Sequence, residues 1–313
     1  MCAGQGSQYY MMGRDFYEKK GTFRDWMDYG ARLLEAHLGG SLVDLLYRPR
    51  TDRFAPFDRT RDTHPAVFCV NYSVARTLMD EGIRPSRVLG YSLGELVAWT
   101  LAGAVRFEEA LACVAEMAAK IEELTPPAAM LAILGPPEIF ESRPDLFRGT
   151  WVACINYAEN FVIAGSREDV ARVQQALQPA DFPCQLLPVT RGFHSPLVNP
   201  IEFDLKHAVA RLSPRAPRLP VVSCLRACEL APQDLTPEYC WELLRLPVRF
   251  PDTVRFMEEQ EPSIYVDVGP SGTLASFVRN LIGREGASGA FPILTQFRRD
   301  LKNLERLREA LAL

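Results

Sequence analysis

Apolar and polar positions follow two different rhythms along the chain. Through residues 15–24, 26–37 and 41–47 apolar side chains recur every three or four positions, the period of a helix with one buried face. The polar, proline-bearing stretch 48–63 reads as a surface loop. Thr63-His64-Pro65 then leads into an amphipathic helix over 66–81, with Pro65 suited to its first turn. A short apolar run ends in Gly90-Tyr91-Ser92-Leu93-Gly94, where a helical pattern begins at once. A long helix is predicted over 107–124, with Ala110, Leu111, Val114, Met117, Ala118 and Ile121 along one stripe.

Beyond residue 127 the rhythm changes. Residues 128–134, 150–156, 161–165 and 184–190 read as strands, and 138–142 and 167–178 as helices. The order strand-helix-strand-strand-helix-strand is that of a ferredoxin-like unit. After it come a helix over 201–212, a strand over 219–225, the segment 237–244, a helix over 252–259, a strand over 263–270 and a helix over 273–281. Strands alternating with helices on both sides of the unit predict a parallel sheet completed by both halves of the chain. The expected organisation is α/β: a large domain of residues 1–126 and 195–313, and an inserted small domain of 127–194.

Composition narrows the classes of function. The 313 residues are 48% hydrophobic and 24% charged, and the mean hydropathy is −0.06, ordinary globular values. A net charge of −4 gives no reason to expect nucleic acid as a partner. No run approaches the length of apolar sequence that spans a bilayer, and the first residues lack a signal layout, so a cytoplasmic protein without a membrane partner is expected. The eight cysteines form no C-x-x-C pair and have no histidine at metal spacing, which predicts reduced, buried thiols and no metal site.

Chemistry enters at Ser92. A serine can attack a carbonyl if a sharp strand-to-helix turn lifts its hydroxyl clear of the backbone, and Gly90 and Gly94 permit such a turn. The helix beginning at Leu93 aims its first amides at the serine oxygen, which suits a developing oxyanion. A second candidate loop is Gly4-Gln5-Gly6-Ser7-Gln8, whose glycines allow close approach of backbone amides. Four histidines compete for the role of base. His37 and His207 read as helix-surface residues and His64 as the start of a helix, whereas His194 stands in Gly192-Phe193-His194-Ser195-Pro196, at the junction between the two domains, and is the best general base candidate.

Four separated stretches now converge: GQGSQ at 4–8, GYSLGE at 90–95, GFHSPL at 192–197 and DVGPSGTL at 267–274. Together, and in this order over nearly the whole chain, they resemble the acyltransferases of fatty acid and polyketide synthesis, the malonyl-CoA:acyl carrier protein transacylase family. The resemblance implies an α/β-hydrolase-like large domain with a ferredoxin-like insertion. It implies that Ser92 forms an acyl-enzyme, that His194 acts as base and then acid, and that the amides of Gln5 and Leu93 form the oxyanion hole. It also implies that a main-chain carbonyl, falling near Leu243, holds the histidine in place of an aspartate. The implied partners are an acyl carrier protein and an acyl thioester, with coenzyme A or 4'-phosphopantetheine as acyl carrier and no other cofactor.

One departure bears on substrate. Malonyl-using members carry an arginine in a V-x-x-R-G stretch that clamps the free carboxylate, and here Val114-Ala115-Glu116-Met117-Ala118 aligns Met117 with it. No arginine occurs between Arg106 and Arg143. Lys120, one turn further on, and Arg191, before the Gly192-Phe193-His194 stretch, are the substitute cations to weigh. Met117, Arg191, Phe193 and Tyr91 are therefore the expected substrate contacts. The basic run Arg298, Arg299, Lys302, Arg306 and Arg308 offers either a docking face for an acidic carrier or a solvated helix face. The expected activity is transfer of a non-carboxylated acyl group by a discrete enzyme acting in trans on polyketide assembly. An editing acyl hydrolase of the same fold and a non-catalytic docking module are the alternatives.

Overall fold

The computed structural model describes residues 1–48, 55–177, 182–283 and 287–312. Its strands are β1 (Val88–Gly90), β2 (Ala129–Ile133), β3 (Thr150–Tyr157), β4 (Asn160–Gly165), β5 (Cys184–Leu186), β6 (Val221–Ser223), β7 (Cys228–Leu230), β8 (Val248–Arg249), β9 (Ile264–Asp267) and β10 (Gly289–Pro292). Residues 1–3 are threaded between β1 and β9. Cys2 N–H donates to Leu89 O at 2.8 Å and Cys2 O accepts from Tyr91 N–H at 3.0 Å. On its other side Met1 N donates to Val266 O at 2.7 Å and Met1 O accepts from Val268 N–H at 3.1 Å. Outside β1 lies β6, parallel, and then β7, antiparallel; outside β9 lies β10, parallel. Both halves of the chain thus complete one mostly parallel sheet, as the alternating pattern predicts.

The helix Thr60–Asp80 is buried on nearly every side and packs against Thr22–Leu38 and Phe107–Leu124. Aromatic rings fill this contact, with Tyr72 centred 4.9 Å from Trp26 and 4.7 Å from Phe107. The helix starts six residues earlier than the expected 66, so Pro65 lies in its second turn and not its first. There a proline forfeits only the one bond its missing N–H would make, and the burial of the helix outweighs the loss. Of the expected loop over 48–63, residues 49–54 lie outside the described residues. The helices expected over 15–24 and 26–37 are Arg14–Lys19 and Thr22–Leu38, with the boundary earlier than expected because Lys20 (φ 63°) and Gly21 (φ 99°) turn the chain left-handed between them.

The small domain has the predicted ferredoxin-like order. Its strands run β5-β2-β4-β3, all antiparallel, and its helices Glu138–Ser142 and Arg167–Leu177 pack on one face over Leu131, Ile133, Phe161 and Ile163. Residue 178 of the expected second helix lies outside the described residues. The last strand is shorter than the expected 184–190 because Pro188 has no N–H to continue the ladder. A fifth strand comes from outside the unit: β8 pairs parallel with β3, Cys154 opposite Val248 and Ile155 opposite Arg249.

Backbone closeness at the sheet's centre is the most demanding packing in the fold. A Cβ on Gly94 would lie 2.0 Å from the Cys2 carbonyl oxygen, a backbone atom that cannot move without parting residues 1–3 from the sheet. Gly94→Ala is therefore expected to destabilise by more than about 3 kcal/mol. Gly40→Ala, where an added Cβ meets nothing within 4 Å, is expected to stay within about 0.5 kcal/mol. Urea unfolding of both variants checks the contrast.

Candidate active site

The turn at Gly90-Tyr91-Ser92 is as tight as the sequence suggests. Ser92 has φ 54°, Gly94 N–H donates to Tyr91 O at 2.9 Å, and Glu95 N–H donates to Ser92 O at 2.8 Å. A Cβ on Gly90 would lie 2.1 Å from Glu95 Cα, so only glycine closes this turn. The helix Gly94–Leu101 follows with Leu93 as its cap. The Leu93 amide is one of the helix's first, unpaired N–H groups.

The loop at residues 4–8 lies directly against the turn. A Cβ on Gly4 would come 2.6 Å from Tyr91 O and 3.5 Å from Leu93 N. Among the described residues neither the Gln5 nor the Leu93 amide donates to a protein acceptor, so both are free to serve one oxyanion. Side chains hold the loop in place. Asn71 accepts from Ala3 N–H at 2.8 Å and donates to Ala3 O at 3.3 Å, Gln8 accepts from Gly6 N–H at 2.8 Å and donates to Pro188 O at 2.7 Å, and Gln5 donates to Thr63 Oγ1 at 2.5 Å. The stretch 267–274 braces the loop from behind: a Cβ on Gly269 would lie 2.2 Å from Ala3 Cβ, and the Asp267 carboxylate accepts from Gly269 and Ala275 N–H at 3.0 and 3.1 Å.

His194 meets Ser92 in the expected pairing. Its Nε2 lies 2.8 Å from Ser92 Oγ, and its Nδ1 lies 2.8 Å from the carbonyl oxygen of Leu246. A carbonyl can only accept, so Nδ1 carries the proton and Nε2 offers its lone pair to the serine hydroxyl. The carbonyl is that of Leu246, not Leu243 as expected. The helix Pro237–Arg245 ends just before it and turns the peptide toward the imidazole, while Leu244 O accepts from the His194 N–H at 3.0 Å. Burial pushes the His194 pKa down to about 4, against a smaller raising effect of the Leu246 carbonyl. The base is therefore neutral at neutral pH.

Nucleophile and base open into a cavity of 540 Å³ lying between the domains. Met117 and Ile121 from the helix Phe107–Leu124, with Phe193, Met130 and Leu187, make apolar walls. Asn156, Asn160 and Gln185 supply polar groups. Among the described lining residues there is no lysine, arginine, aspartate or glutamate. Tyr91 lines the cavity and donates to Asn156 Oδ1 at 2.8 Å. Phe193 is buried, its ring 5.3 Å from that of His64.

Neither substitute cation reaches this cavity. The Arg191 guanidinium donates to the carbonyls of Glu122 at 2.8 Å, Thr190 at 2.9 Å and Ile121 at 3.4 Å, capping the end of the helix Phe107–Leu124. The expectation that it touches substrate is corrected accordingly. Lys120 pairs with Glu123 at 3.4 Å on the outer face. In the C-terminal basic run, Arg298 pairs with Asp15 and Arg308 with Glu81, at 3.2 and 2.7 Å. Beside them Phe297 lines the cavity mouth while 79% exposed.

Sequence reasoning missed His64 and Asn71. His37 and His207 are exposed, as expected. His64 is instead buried in the cavity wall, with its pKa pushed down to about 3 by burial. The signal was available: 64 and 71 are two helical turns apart, polar positions on one face that bracket the apolar run 65–70.

An elbow serine bonded to a carbonyl-anchored histidine, beside two amides with no protein acceptor among the described residues, is an arrangement able to support nucleophilic chemistry at Ser92. The chain belongs to the acyl transferase domain family, which it matches over residues 1–312. It is 35% identical over 311 residues to the polyketide biosynthesis acyltransferase homolog BaeD of Bacillus velezensis, covering 99% of this chain and 95% of that protein. It is 36% identical over 304 residues to the homolog PksD of Bacillus subtilis, covering 97% and 93%. Among solved structures it is similar to a loading acyltransferase from the avermectin modular polyketide synthase, with a TM-score of 0.88, 25% identity and 98% coverage of each chain. It is also similar to MCAT from Streptococcus pneumoniae, with a TM-score of 0.81, 30% identity and 98% coverage of each.

The depressed pKa of His194 has a measurable consequence. A general-base role for His194 predicts that activity is lost as pH falls through the folded pKa of about 4, not through the ordinary 6.5, because Nε2 can accept a proton only while unprotonated. The acid limb of kcat/KM for thioester loading, measured in brief pH-jump assays, is expected near pH 4 with no inflection between about pH 5 and 7.

Proposed function

We propose that the protein takes a non-carboxylated acyl group from a thioester onto Ser92 and passes it to, or between, acyl carrier proteins in polyketide biosynthesis. One observation carries this reading: a nucleophile and base share a cavity in which no described lining residue carries a cationic side chain. The names of the relatives, polyketide biosynthesis acyltransferase homologs, support the pathway.

The steps balance with the groups in place. His194 Nε2 takes the Ser92 proton as Oγ attacks the thioester carbonyl, and the oxyanion settles between the amides of Gln5 and Leu93. On collapse the C–S bond breaks and the thiol leaves with the proton from His194. A second thiol reverses the sequence and regenerates Ser92. Met117 fixes the class of acyl group. Its thioether gives a neutral chain dispersion contact and loss of water from apolar surface, whereas a malonyl carboxylate would shed its water with no cation to meet it.

The test is a panel of acyl-CoAs and acyl-carrier proteins with intact-mass detection of acyl-enzyme, transfer product and free acid. Ser92→Ala and His194→Ala, singly and together, are expected to be similarly inactive. Neutral acyl donors should be preferred over malonyl at least tenfold in kcat/KM, about 1.4 kcal/mol, and Met117→Arg should narrow or reverse that order. Equal loading of malonyl by the unmodified protein would sink the reading of the pocket. Free acid as the main product with carrier protein present would move the assignment to an editing acyl hydrolase, and carrier binding with no acyl-enzyme at all would leave a docking module.

A further inference from the structure

The carbonyls of Leu244 and Leu246 hold His194, so whatever fixes their segment fixes the base. Both ends of that segment are gripped by residues 223 and 224, where β6 ends. At one end the Tyr239 hydroxyl lies 2.6 Å from Ser223 Oγ; at the other, Arg249 N–H donates to Cys224 O at 2.8 Å. Tyr239 also makes a short contact with the carboxyl of Glu95, which belongs to the first turn of the helix behind Ser92. Glu95 and Tyr239 are both fully buried.

The proton direction along this chain follows from valence. Ser223 Oγ accepts from Leu225 N–H at 3.0 Å and Arg226 N–H at 3.1 Å. With both lone pairs engaged, Ser223 donates its own proton to Tyr239, and Tyr239 donates to Glu95 Oε1. Glu95 Oε2 has no hydrogen-bond partner among the described residues. Burial pushes the Glu95 pKa up to about 8. The other titratable groups facing it are Cys224, Cys228, Cys240 and Arg226, the last lying 4.8 Å from the Tyr239 ring centroid and paired with Asp234 and Glu242.

We propose that Tyr239 and Glu95 are positioning residues, whose buried hydroxyl-to-carboxyl bond sets the spacing between the helix that presents Ser92 and the segment whose carbonyls orient His194. Neither touches substrate in this role. The proposal rests on the Ser92 acyl-enzyme reading and concerns the alignment of its two reacting groups.

The test reads serine reactivity apart from substrate binding. The rate constant for labelling of Ser92 by a fluorophosphonate is followed by intact mass, with Ser92→Ala as the blank and the labelled amplitude reporting the active fraction. Tyr239→Phe keeps the ring and removes the bond, and is expected to slow both labelling and acyl loading about tenfold, with KM for the thioester unchanged. Glu95→Gln keeps an acceptor oxygen in the same place and should stay within about twofold of the unmodified protein, while Glu95→Asp, one methylene short, should behave like Tyr239→Phe. A Tyr239→Phe protein that labels at the unmodified rate overturns the proposal, whether or not its active fraction falls. So does a Glu95→Gln protein as slow as Tyr239→Phe. Absence of labelling at Ser92 in the unmodified protein would instead take down the acyl-enzyme reading, and this proposal with it.

Discussion

Contact between two pieces of backbone, residues 1–3 and the turn at Ser92, is the constraint on which the rest of the structure depends. The Cys2 carbonyl accepts from Tyr91 and occupies the space a side chain at Gly94 would need. That seat joins the halves of the sheet, since residues 1–3 bond to Leu89 and Tyr91 on one side and to Val266 and Val268 on the other. It also delivers Gln5 to the elbow, so that the two amides proposed for one oxyanion come from opposite sides of the same contact. Glycine at 4, 90, 94 and 269 is the chemical condition for such closeness, because each would otherwise place a carbon within 2.6 Å of a neighbouring atom.

Electrostatics in the cavity follow from dryness more than from charge. His194 is held neutral by burial, with the tautomer set by the Leu246 carbonyl. A carbonyl dipole orients the ring as an aspartate would, but it adds no negative charge to the site. With no charged side chain among the described lining residues, the neutral acyl chain proposed above would enter with little electrostatic penalty and a carboxylate with a large one. Strain is present here as well: Ser92 and His194 are both non-glycine residues at positive φ, 54° and 58°, conformations that persist only where surrounding bonds over-determine them. The paired carbonyls on His194 and the two turn bonds at Ser92 supply that over-determination.

Much of this was legible in the sequence because its signals are local. The elbow announces itself through two glycines around a serine, and the small domain through the order of its periods. What escaped is tertiary. Residues 1–3 and 248–249 are too short to show any period, yet one seams the large sheet and the other extends the small one. The carbonyl on His194 was misplaced by three residues, Leu246 for Leu243, since a main-chain contact leaves no mark on side-chain identity. Arg191 looked like a substrate cation because sequence shows its charge and not the two carbonyls at the end of a helix, with that of Thr190, that draw the guanidinium away. His64 was read from its place before Pro65, when its face on an earlier-starting helix was the informative feature.

Beside the Gln8–Pro188 bond, two further short links bind the small domain to Ser92 and His194, so that it does not rest on them as a separate lobe. Tyr91, beside the nucleophile, donates to Asn156 at the end of β3. Two residues after the Leu246 carbonyl that anchors the base, Val248 pairs with Cys154 of the same strand. Both links converge on one strand, within the span Cys154–Asn156, and that strand's inward side chains form part of the cavity wall. A displacement of β3 that widened the cavity would therefore pull on nucleophile and base together. Cavity width and the alignment of Ser92 with His194 are thus coupled through β3, and the packing of the four-stranded unit behind that strand resists a change in either.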